Sequence, residues 1–424
     1  MKIAKENMVY TNKKYIKCCK RFRKMCRRVE TNQDTYRRGP LVVLDLFSGI
    51  GSAILVLKKL QIAIKTVISV EHDRIAEHVT KHNHDAEYNN EKSDDGINHV
   101  YRYTKFEDVE DNLDAIMKEY GPFDLVVGGP PCNDYTQINA TRKGTKGQSG
   151  SYLVRLGALI ANIKKHPLQS STDCYFLSEN VIFDKDMDEV NEAYGGIPPV
   201  QIDAKDFSPC KRARNYWVNL PVGAVDGHTA QAEASPTNLE NGFKMPAKCL
   251  DPTLNLVVKA NTFMGSKSRL DDIPRMMVVK KCPDNDALYE VGTFSTADRE
   301  TMLGFPVGYV SKALEHLYST LKKDAFQAEL SPGMHWFDSL PKRFHHFMAC
   351  TYSFKSSEDF YDISIKHEDS TSSFDCQQYA KHLLGNAWSI PVVEVLLKPL
   401  TKICTTRVYD DFEYSFNWPP HNLV

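Results

Sequence analysis

Residues 41–60 read LVVLDLFSGIGSAILVLKKL, and this stretch decides the fold class. Its first seven residues form a nearly continuous apolar run, which is typical of a strand buried on both faces. The glycine turn SGIGS follows, and AILVLKKL then has the apolar spacing of a helix. Strand, glycine turn and helix in this order predict the opening unit of an α/β fold.

The same alternation continues outward to about residue 220. It predicts further strands at KTVISVE (65–71), FDLVVGG (123–129), CYFLSEN (174–180) and PVQID (199–203). It predicts helices at HDRIAEHVTKH (72–82), DVEDNLDAIMKEY (108–120), SYLVRLGALIANIKK (151–165) and DKDMDEVNEAY (184–194). Because such alternation implies parallel strands joined by right-handed crossovers, we expect a doubly wound, mostly parallel sheet.

The pattern divides the chain of 424 residues into three parts. Residues 1–38 form a basic arm, with thirteen Lys or Arg against three acids. It is either a solvated, flexible tail or a phosphate-binding or nuclear-import segment. Residues 39–220 and 292–424 form the main domain, with an insertion at about 321–373 that the pattern does not explain. Residues 221–291 are irregular and predict a separate small lobe. STADRETMLGF (295–305) and NAWSIPVVEVLLKPL (386–400) return to helical spacing.

Composition fits a protein that works inside the cell. Hydrophobic residues make up 42% of the chain and charged residues 25%, and the net charge is −1. We expect no membrane span and no secretory signal, because the chain has no apolar run of the necessary length. The eleven cysteines follow no repeating spacing, so we expect reduced thiols.

A cofactor site is predicted at the first glycine turn. Gly49 and Gly51 let a ligand approach the backbone, and Glu71 ends the next strand twenty residues after Gly51. An acid at that position can accept hydrogen bonds from both ribose hydroxyls of a nucleoside cofactor. Two cofactor classes fit: a dinucleotide such as NAD, and S-adenosylmethionine. Packing of strand on helix is the purely structural alternative.

A candidate nucleophile follows the strand FDLVVGG, in the stretch GGPPCNDYTQ (128–137). Cys132 stands on a stiff loop at the edge of the sheet where open α/β folds bind ligands. A thiolate there is intrinsically reactive, whereas the structural alternative is a small buried hydrophobe. Glu179 at the end of the next strand can reach the same crevice. Arg212 and Arg214 can each offer a guanidinium to a carboxylate or carbonyl oxygen.

The ordered set of motifs resembles the DNA (cytosine-5) methyltransferases, and within that family the animal de novo type. The motifs are LDLFSGIG, VEHD, FDLVVGGPPCN, LSENV, RARNYW and GNAWSIPVV. The stretch PVQIDAKDFSPCKRARNYWVNLP (199–221) is especially similar to the de novo type. Two positions depart from that type, since Pro130 replaces its usual Ser and Ser48 its usual acid. The resemblance implies a Rossmann-like methyltransferase domain with residues 221–291 as its target-recognition lobe.

The resemblance also implies roles for individual residues. Cys132 would add to cytosine C6, Glu179 would protonate N3, Arg214 would lie at O2, Arg212 near Glu179, and Asn180 would fix the glutamate loop. S-adenosylmethionine would be bound by Phe47, Ser48, Gly49, Ile50, Gly51, Ser52, Glu71, Asp108, Val109, Pro130, Asn386 and Trp388, and would leave as S-adenosylhomocysteine. For Asp108, capping of a helix N-terminus is an equal alternative. DNA contacts would come from Asn133, Lys244, Lys248, Lys259, Lys267 and Arg269.

The implied substrate is a cytosine flipped out of double-stranded DNA, and the implied location is the nucleus. Three alternatives stay open. The first is an RNA or tRNA cytosine-5 methyltransferase with the same thiol chemistry. The second is a catalytically inactive DNA-binding relative, and the third is an NAD-linked oxidoreductase. Protein partners, self-association and the base that removes the C5 proton cannot be read from the sequence.

Overall fold

The computed structural model describes residues 38–86, 88, 95–137, 139–170, 172–208, 210–220, 296–327 and 377–409, together with short strands between 243 and 293. The strands are β1 Leu41–Leu46, β2 Ile64–Val70, β3 Asn98–Val100, β4 Leu125–Gly128, β5 Tyr175–Val181, β6 Val200–Asp203, β7 Ala213–Val218, β8 Phe243–Lys244, β9 Leu250–Asp251, β10 Leu256–Val257, β11 Met277–Cys282 and β12 Asn285–Thr293. The helices are α1 Ser52–Lys59, α2 Arg74–His84, α3 Phe106–Asp111, α4 Leu113–Tyr120, α5 Gln148–Lys165, α6 Met187–Ala193, α7 Thr296–Leu303, α8 Ser311–Gln327, α9 Gln377–Asn386, α10 Ile390–Leu397 and α11 Leu400–Ile403.

Seven of the described strands form one sheet in the order β3-β2-β1-β4-β5-β7-β6. β1, β2, β3, β4 and β5 run parallel, and β7 runs antiparallel to both of its neighbours. The chain order reverses at β1, since β2 and β3 lie to one side and β4 to the other. This confirms the predicted doubly wound, mostly parallel sheet with helices on both faces, which is a Rossmann-like arrangement.

Alternate residues of β1 point into two separate apolar cores. Leu41 and Val43 join a core that includes residues of α1, α2, α8 and α10. Val42, Leu44 and Leu46 join the core on the other face, with residues of α3, α4, α5 and α6. All six residues of β1 are buried, which explains why the strand reads as a continuous apolar run rather than an alternating one.

The structure differs from the predicted elements in three places. The helix predicted at 108–120 is two helices, α3 and α4, which meet at Asn112. The Asn112 side chain donates to the Asp108 carbonyl at 2.7 Å and competes there with the helical ladder. Helices α8 and α9 and the short strand β3 were not predicted, and α8 extends into the range expected to be irregular. Residues 328–376, most of the unexplained insertion, lie outside the described residues.

The structure describes only parts of the three predicted regions, so their boundaries stay predictions. Residues 1–37 of the basic arm lie outside the described residues. Arg38 belongs to the fold, because its N–H donates to the Ile403 carbonyl at 2.8 Å and its guanidinium pairs with Asp124 at 3.3 Å. Within residues 221–291 the prediction was irregular structure, but β11 and β12 pair as an antiparallel ladder that reaches Thr293. None of the described helices is long and apolar enough to cross a membrane.

Candidate active site

The register of the parallel strands brings the chemical motifs to one edge of the sheet. Leu46 lies opposite Gly128, and Gly128 lies opposite Ser178. The segments that follow these three residues therefore leave the sheet side by side. They carry the glycine turn, the cysteine loop and Glu179.

The two glycines before the cysteine are required by close approach of other groups. A Cβ atom on Gly128 would lie 2.8 Å from Leu156 Cδ2 and 3.2 Å from the Leu46 carbonyl oxygen. A Cβ atom on Gly129 would lie 2.6 Å from Trp388 Nε1. Trp388 therefore packs directly on the loop, although it is more than 250 residues away along the chain. Asn180 Nδ2 donates to the Pro130 carbonyl at 3.1 Å and holds the loop from the other side.

Cys132 carries a half-buried thiol among charged groups. Burial raises the pKa of the Cys132 thiol, and the nearby Glu179 carboxylate raises it further, while Arg214 and Arg212 act in the opposite direction. The thiol is therefore held mostly protonated at neutral pH until an approaching substrate changes its surroundings. Cys174, Cys210 and Cys404 are also free, and all three are buried. Among these four thiols, Cys132 is the accessible one.

Glu179 is paired with Arg214 beside the cysteine loop. Arg214 Nε lies 2.9 Å from Glu179 Oε1, and the two side chains are 14% and 10% exposed. In the antiparallel ladder Glu179 lies opposite Tyr216 and Val181 lies opposite Arg214. The ion pair is therefore the diagonal cross-strand contact that long side chains can make. A bond to an ionised partner at this low exposure holds both groups in place.

Burial lowers the pKa of Arg212 to about 10 and the Glu179 carboxylate acts in the opposite direction, so Arg212 lies near Glu179, although two of its hydrogen bonds go to other groups. Its guanidinium donates from Nη1 to the Gly385 carbonyl at 3.1 Å, and its backbone N–H donates to Asp203 Oδ1 at 2.8 Å. The residue is 3% exposed. Arg212 therefore ties the segment before Trp388 to the sheet, and the direct partner of Glu179 is Arg214. The resemblance implied Arg212 as the neighbour of Glu179 and Arg214 as the contact to the base; the ion pair with Glu179 is made by Arg214.

Glu71 and Gly49 form the candidate cofactor cradle. Glu71 Oε2 accepts the Gly49 N–H at 2.7 Å, and Oε1 accepts the Asp73 N–H at 2.8 Å. Oε1 also lies 3.1 Å from Nδ1 of the exposed His72, whereas Oε2 keeps a second acceptor site. Gly49 has φ +55°, and the nearest atom to a Cβ placed on it would be the Phe47 carbonyl oxygen at 4.0 Å. Open space therefore lies over Gly49 beside a fixed carboxylate, as a bound nucleoside would require.

Phe47 lies next to this cradle. Its ring stacks on Phe106 with centroids 5.2 Å apart and meets Tyr152 edge-on at 5.5 Å. It is half-buried, so part of the ring is open to a ligand.

Asp108 occupies the helix-capping position that was the alternative to cofactor binding. Asp108 Oδ2 accepts the N–H groups of Lys105 at 2.9 Å and Thr104 at 3.2 Å. Asp108 thus caps the N-terminus of α3, with both bonds on one oxygen.

The remaining predicted cofactor residues divide between the cradle and the core. Ser48 and Ser52 are buried in the turn itself, while the side chains of Ile50 and Val109 are packed in the two cores. Only the backbone of Ile50 and Val109 could therefore face a ligand. Asn386 is exposed, and its amide contacts His382 at 3.4 Å. Trp388 packs on the cysteine loop, of which Pro130 is a part, whereas the described contact of Asn386 lies elsewhere.

The predicted nucleic-acid residues are mostly untested by the structure. Asn133 is exposed beside Cys132. Lys244 lies in β8, and Lys248, Lys259, Lys267 and Arg269 lie outside the described residues. Sequence reasoning missed Asp134, whose Oδ2 accepts the N–H groups of Ser149 at 3.0 Å and Gly150 at 3.1 Å. Asp134 thereby fastens the cysteine loop to the N-terminus of α5, where a negative charge is favoured.

Known proteins are similar to this chain over the region that forms this edge of the sheet. The profile of the C-5 cytosine-specific DNA methylase family matches residues 41–192. DNA (cytosine-5)-methyltransferase DRM2 of Arabidopsis thaliana is 33% identical over 114 residues, which are 26% of this chain and 17% of the relative. The DRM2 protein of Oryza sativa is 32% identical over 123 residues, 29% of this chain and 19% of that protein. The chain thus spans about a fifth of the length of these relatives.

Among solved structures, the S. pombe Dnmt2 methyltransferase is similar with a TM-score of 0.45 and 16% identity, covering 85% of this chain and 98% of that one. Both DRM2 relatives are plant proteins, so they lend no support to the narrower resemblance to the animal de novo type. The matched region contains the glycine turn, Glu71, the cysteine loop and the Glu179 strand end. Over residues 41–192, therefore, the chain is similar to the C-5 cytosine-specific DNA methylase family.

Proposed function

We propose that this protein transfers a methyl group from S-adenosylmethionine to C5 of a cytosine in double-stranded DNA. The observation that carries the proposal is the position of the Cys132 thiol beside the Glu179–Arg214 pair, at the edge where β1, β4 and β5 end. A nucleophile, a carboxyl group and a guanidinium together can attack and polarise one flat heterocycle. The family match over residues 41–192 supports the same chemistry.

The cradle at Gly49 fits S-adenosylmethionine. Glu71 would hold the ribose hydroxyls through the site that Gly49 leaves open on Oε2 and through Oε1 in exchange for the exposed His72, and Phe47 would lie against the adenine. When bound, the cofactor supplies an electrophilic methyl group. Gly129 packs on Trp388, so Trp388 would close the pocket on the side of the cysteine loop. The third glycine expected for a dinucleotide is absent, since the turn reads GIGSAI, which favours S-adenosylmethionine over NAD.

Cys132 supplies the electrons for the reaction. Its sulfur, once deprotonated, forms a bond to cytosine C6, and the ring electrons shift so that C5 becomes the nucleophile that accepts the methyl group. Loss of the C5 proton to a base then re-forms the C5–C6 double bond, and the C6–S bond breaks to return the thiolate. The net change is one C5–H bond replaced by a C5–CH3 bond: the methyl–sulfur bond of the cofactor would break, S-adenosylhomocysteine would leave, and one proton would be released.

Glu179 and Arg214 stabilise the charge that this addition places on the ring. Arg214 Nε pairs with Glu179, and Nη1 donates to the Ala213 carbonyl at 2.8 Å. We assign Nη2 to the cytosine O2. Glu179 Oε1 is held by Arg214, so Oε2 is assigned to the N3 edge, where a proton on the carboxyl group would neutralise the ring. Asn180 holds the Pro130 carbonyl through a hydrogen bond, and so fixes the loop that carries Cys132.

The DNA substrate is the part of the proposal with a specific rival, which is RNA. The named relatives are DNA methyltransferases, which favours DNA. A duplex substrate requires the base to be flipped out, at a cost of a few kcal/mol. The lysines of residues 221–291 are expected to offset this cost through phosphate contacts, which position the duplex but do not specify sequence.

Product analysis separates the two substrates. The purified protein is incubated with methyl-labelled S-adenosylmethionine and either duplex DNA or a pool of tRNA, and the digested nucleosides are separated by mass spectrometry. We expect label in 5-methyldeoxycytidine and none in 5-methylcytidine. Label in the ribonucleoside alone would replace DNA by RNA as the substrate. Absence of label from both, with intact cofactor binding, would indicate an inactive relative.

A further inference from the structure

A cluster of three histidines lies on the outer side of the fold, where α2 and α8 pack together. His78 and His82 occur in the stretch HVTKH of α2, one helical turn apart, and His316 comes from α8. Their candidate ligand nitrogens all lie within 4.8 Å of one another. The ring centroid of His316 lies 5.5 Å from that of His78 and 5.1 Å from that of His82. None of the three has a role in the proposed methyl transfer.

We propose that His78, His82 and His316 form a binding site for a divalent transition-metal ion of the zinc class. Two histidines at positions i and i+4 share one helical face, and this spacing is an established way for a helix to chelate zinc. Zinc holds imidazole nitrogens at about 2.0–2.1 Å, so the ligand atoms of a tetrahedral site lie about 3.3 Å apart. Small side-chain rotations would bring the three nitrogens to that separation.

The hydrogen bonds of His78 prepare one nitrogen for coordination. Nε2 lies 2.8 Å from the Ala313 carbonyl oxygen, which can only accept, so Nε2 carries the proton. Nδ1 is then the lone-pair nitrogen, and it lies 2.6 Å from the Tyr88 hydroxyl. Metal-binding histidines commonly donate their other N–H to a carbonyl in this way, which fixes the tautomer and the ring orientation.

Exposure gives the ion a path into the site. His78 is buried, His82 is half-buried and His316 is exposed, so the cluster opens from the helix interface toward solvent. Three protein ligands leave the fourth zinc position for water or for Tyr88, which lies against His78. An ion held between α2 and α8 would stabilise the position of α2, whose N-cap residue Asp73 lies two residues after Glu71.

The neighbouring residues argue against hydrolytic chemistry at this ion. In the helical zinc motif of metalloproteases a glutamate follows the first histidine and acts as general base. Here that position is Val79, which is fully buried in the core. Glu77, which precedes His78 on α2, is paired with Arg74 at 2.6 Å and Lys81 at 2.7 Å. We therefore assign the ion a bracing or regulatory role.

Cobalt substitution tests the proposal without any assay of methyl transfer. Untagged protein is freed of metal with a chelator and titrated with Co²⁺, whose visible absorption is intense only in tetrahedral sites. We expect such bands to saturate with the full-length protein and to disappear when Zn²⁺ is added. The double variant His82→Ala/His316→Ala is expected to bind Co²⁺ at least about tenfold more weakly, because two of three ligands are gone. His166→Gln, which changes a histidine outside the cluster, should behave like the parent protein.

The outcome that overturns the site is equal Co²⁺ affinity and an equal spectrum in the parent protein and the double variant. Both substituted side chains are partly or fully exposed, so we expect the variant to fold, and its circular dichroism spectrum checks this. If it does not fold, the single exposed variant His316→Ala carries the same comparison. The proposal is independent of the methyl-transfer function, since the spectrum reports the ion itself.

Discussion

Arg214 Nε lies 2.9 Å from Glu179 Oε1, across the antiparallel pair β5 and β7, with both side chains at most 14% exposed. This contact couples a strand that belongs to the parallel part of the sheet to the strand that reverses it. It also fixes the carboxyl group beside the Cys132 thiol. The reversed strand therefore has a chemical consequence, since it brings a guanidinium to the crevice from the opposite direction.

Replacing Arg214 with Lys is expected to slow methyl transfer while cofactor binding stays unchanged. A lysine cannot bond Glu179 and the cytosine O2 together, since it lacks the planar fork. A charge-assisted hydrogen bond contributes about 1.5–3 kcal/mol, which corresponds to roughly 10- to 100-fold in kcat. Single-turnover kinetics give the rate, and calorimetry gives cofactor affinity. Arg102→Lys, in an exposed pair with Glu119, is the matched control. A loss smaller than about twofold would remove Arg214 from the chemistry.

The reactivity of Cys132 is expected to keep rising with pH beyond the range of an ordinary thiol. Burial raises the pKa of this thiol, so its thiolate fraction grows about tenfold per pH unit up to that raised value. Alkylation by iodoacetamide, followed at Cys132 by mass spectrometry between pH 7 and 10, measures the profile. Glu179→Gln removes the nearby negative charge and should move the profile to lower pH. A plateau at or below about pH 8 in the parent protein would contradict the raised value.

Adding one methyl group at Gly129 is expected to disturb the cofactor wall. A Cβ there would lie 2.6 Å from Trp388 Nε1, so the indole must shift. Overpacking of this kind costs about 1–3 kcal/mol of stability, and it should weaken cofactor binding as well. Gly39→Ala is the matched control, because its Cβ would meet nothing within 4 Å. Urea denaturation and calorimetry measure both effects. If Gly129→Ala behaves like Gly39→Ala, Trp388 does not pack on this loop.

Asp45 is expected to make folding less favourable as pH rises. The carboxyl group lies in β1, and its Oδ2 is buried without a hydrogen-bond partner among the described residues. Burial, and to a lesser degree Glu71, raises the pKa of Asp45 well above its usual value. The folded protein therefore binds a proton that the unfolded chain releases above about pH 4, and stability falls from there up to the raised pKa.

Asp45→Asn removes this pH dependence. The variant should gain stability over the parent by up to about 1.4 kcal/mol per pH unit across that window, measured by urea denaturation from pH 4.5 to 8. Asp111→Asn, at an exposed position, is the control. A stability difference between parent and Asp45→Asn that stays constant with pH would show that Asp45 is ionised in the fold.

The parts of the structure that follow from local pattern were predictable. β1 is buried on both faces, so all of its residues except Asp45 are apolar, and the fold class follows from strands of that kind alternating with helices. The position of Cys132 was predictable for the same reason, since parallel strands end at one edge.

What sequence reasoning missed depends on contacts between distant segments. The two arginines are only two residues apart, and the sequence does not show that Arg214 makes the direct ion pair with Glu179 while Arg212 donates to the Gly385 carbonyl. The closeness of His316 to α2 is likewise set by packing. A single sequence carries no signal for such contacts.

The most direct test of the central claim is covalent trapping on DNA that contains 5-fluorocytosine. The fluorine at C5 cannot leave as the proton does, so an enzyme that attacks C6 stays bonded to the base after methyl transfer. We predict that the protein, given S-adenosylmethionine and this duplex, forms a 1:1 adduct whose mass includes one methyl group and whose site maps to Cys132. Cys132→Ser should form none while still binding the cofactor. An adduct at another residue, or methylated DNA from the Cys132→Ser variant, would contradict the account.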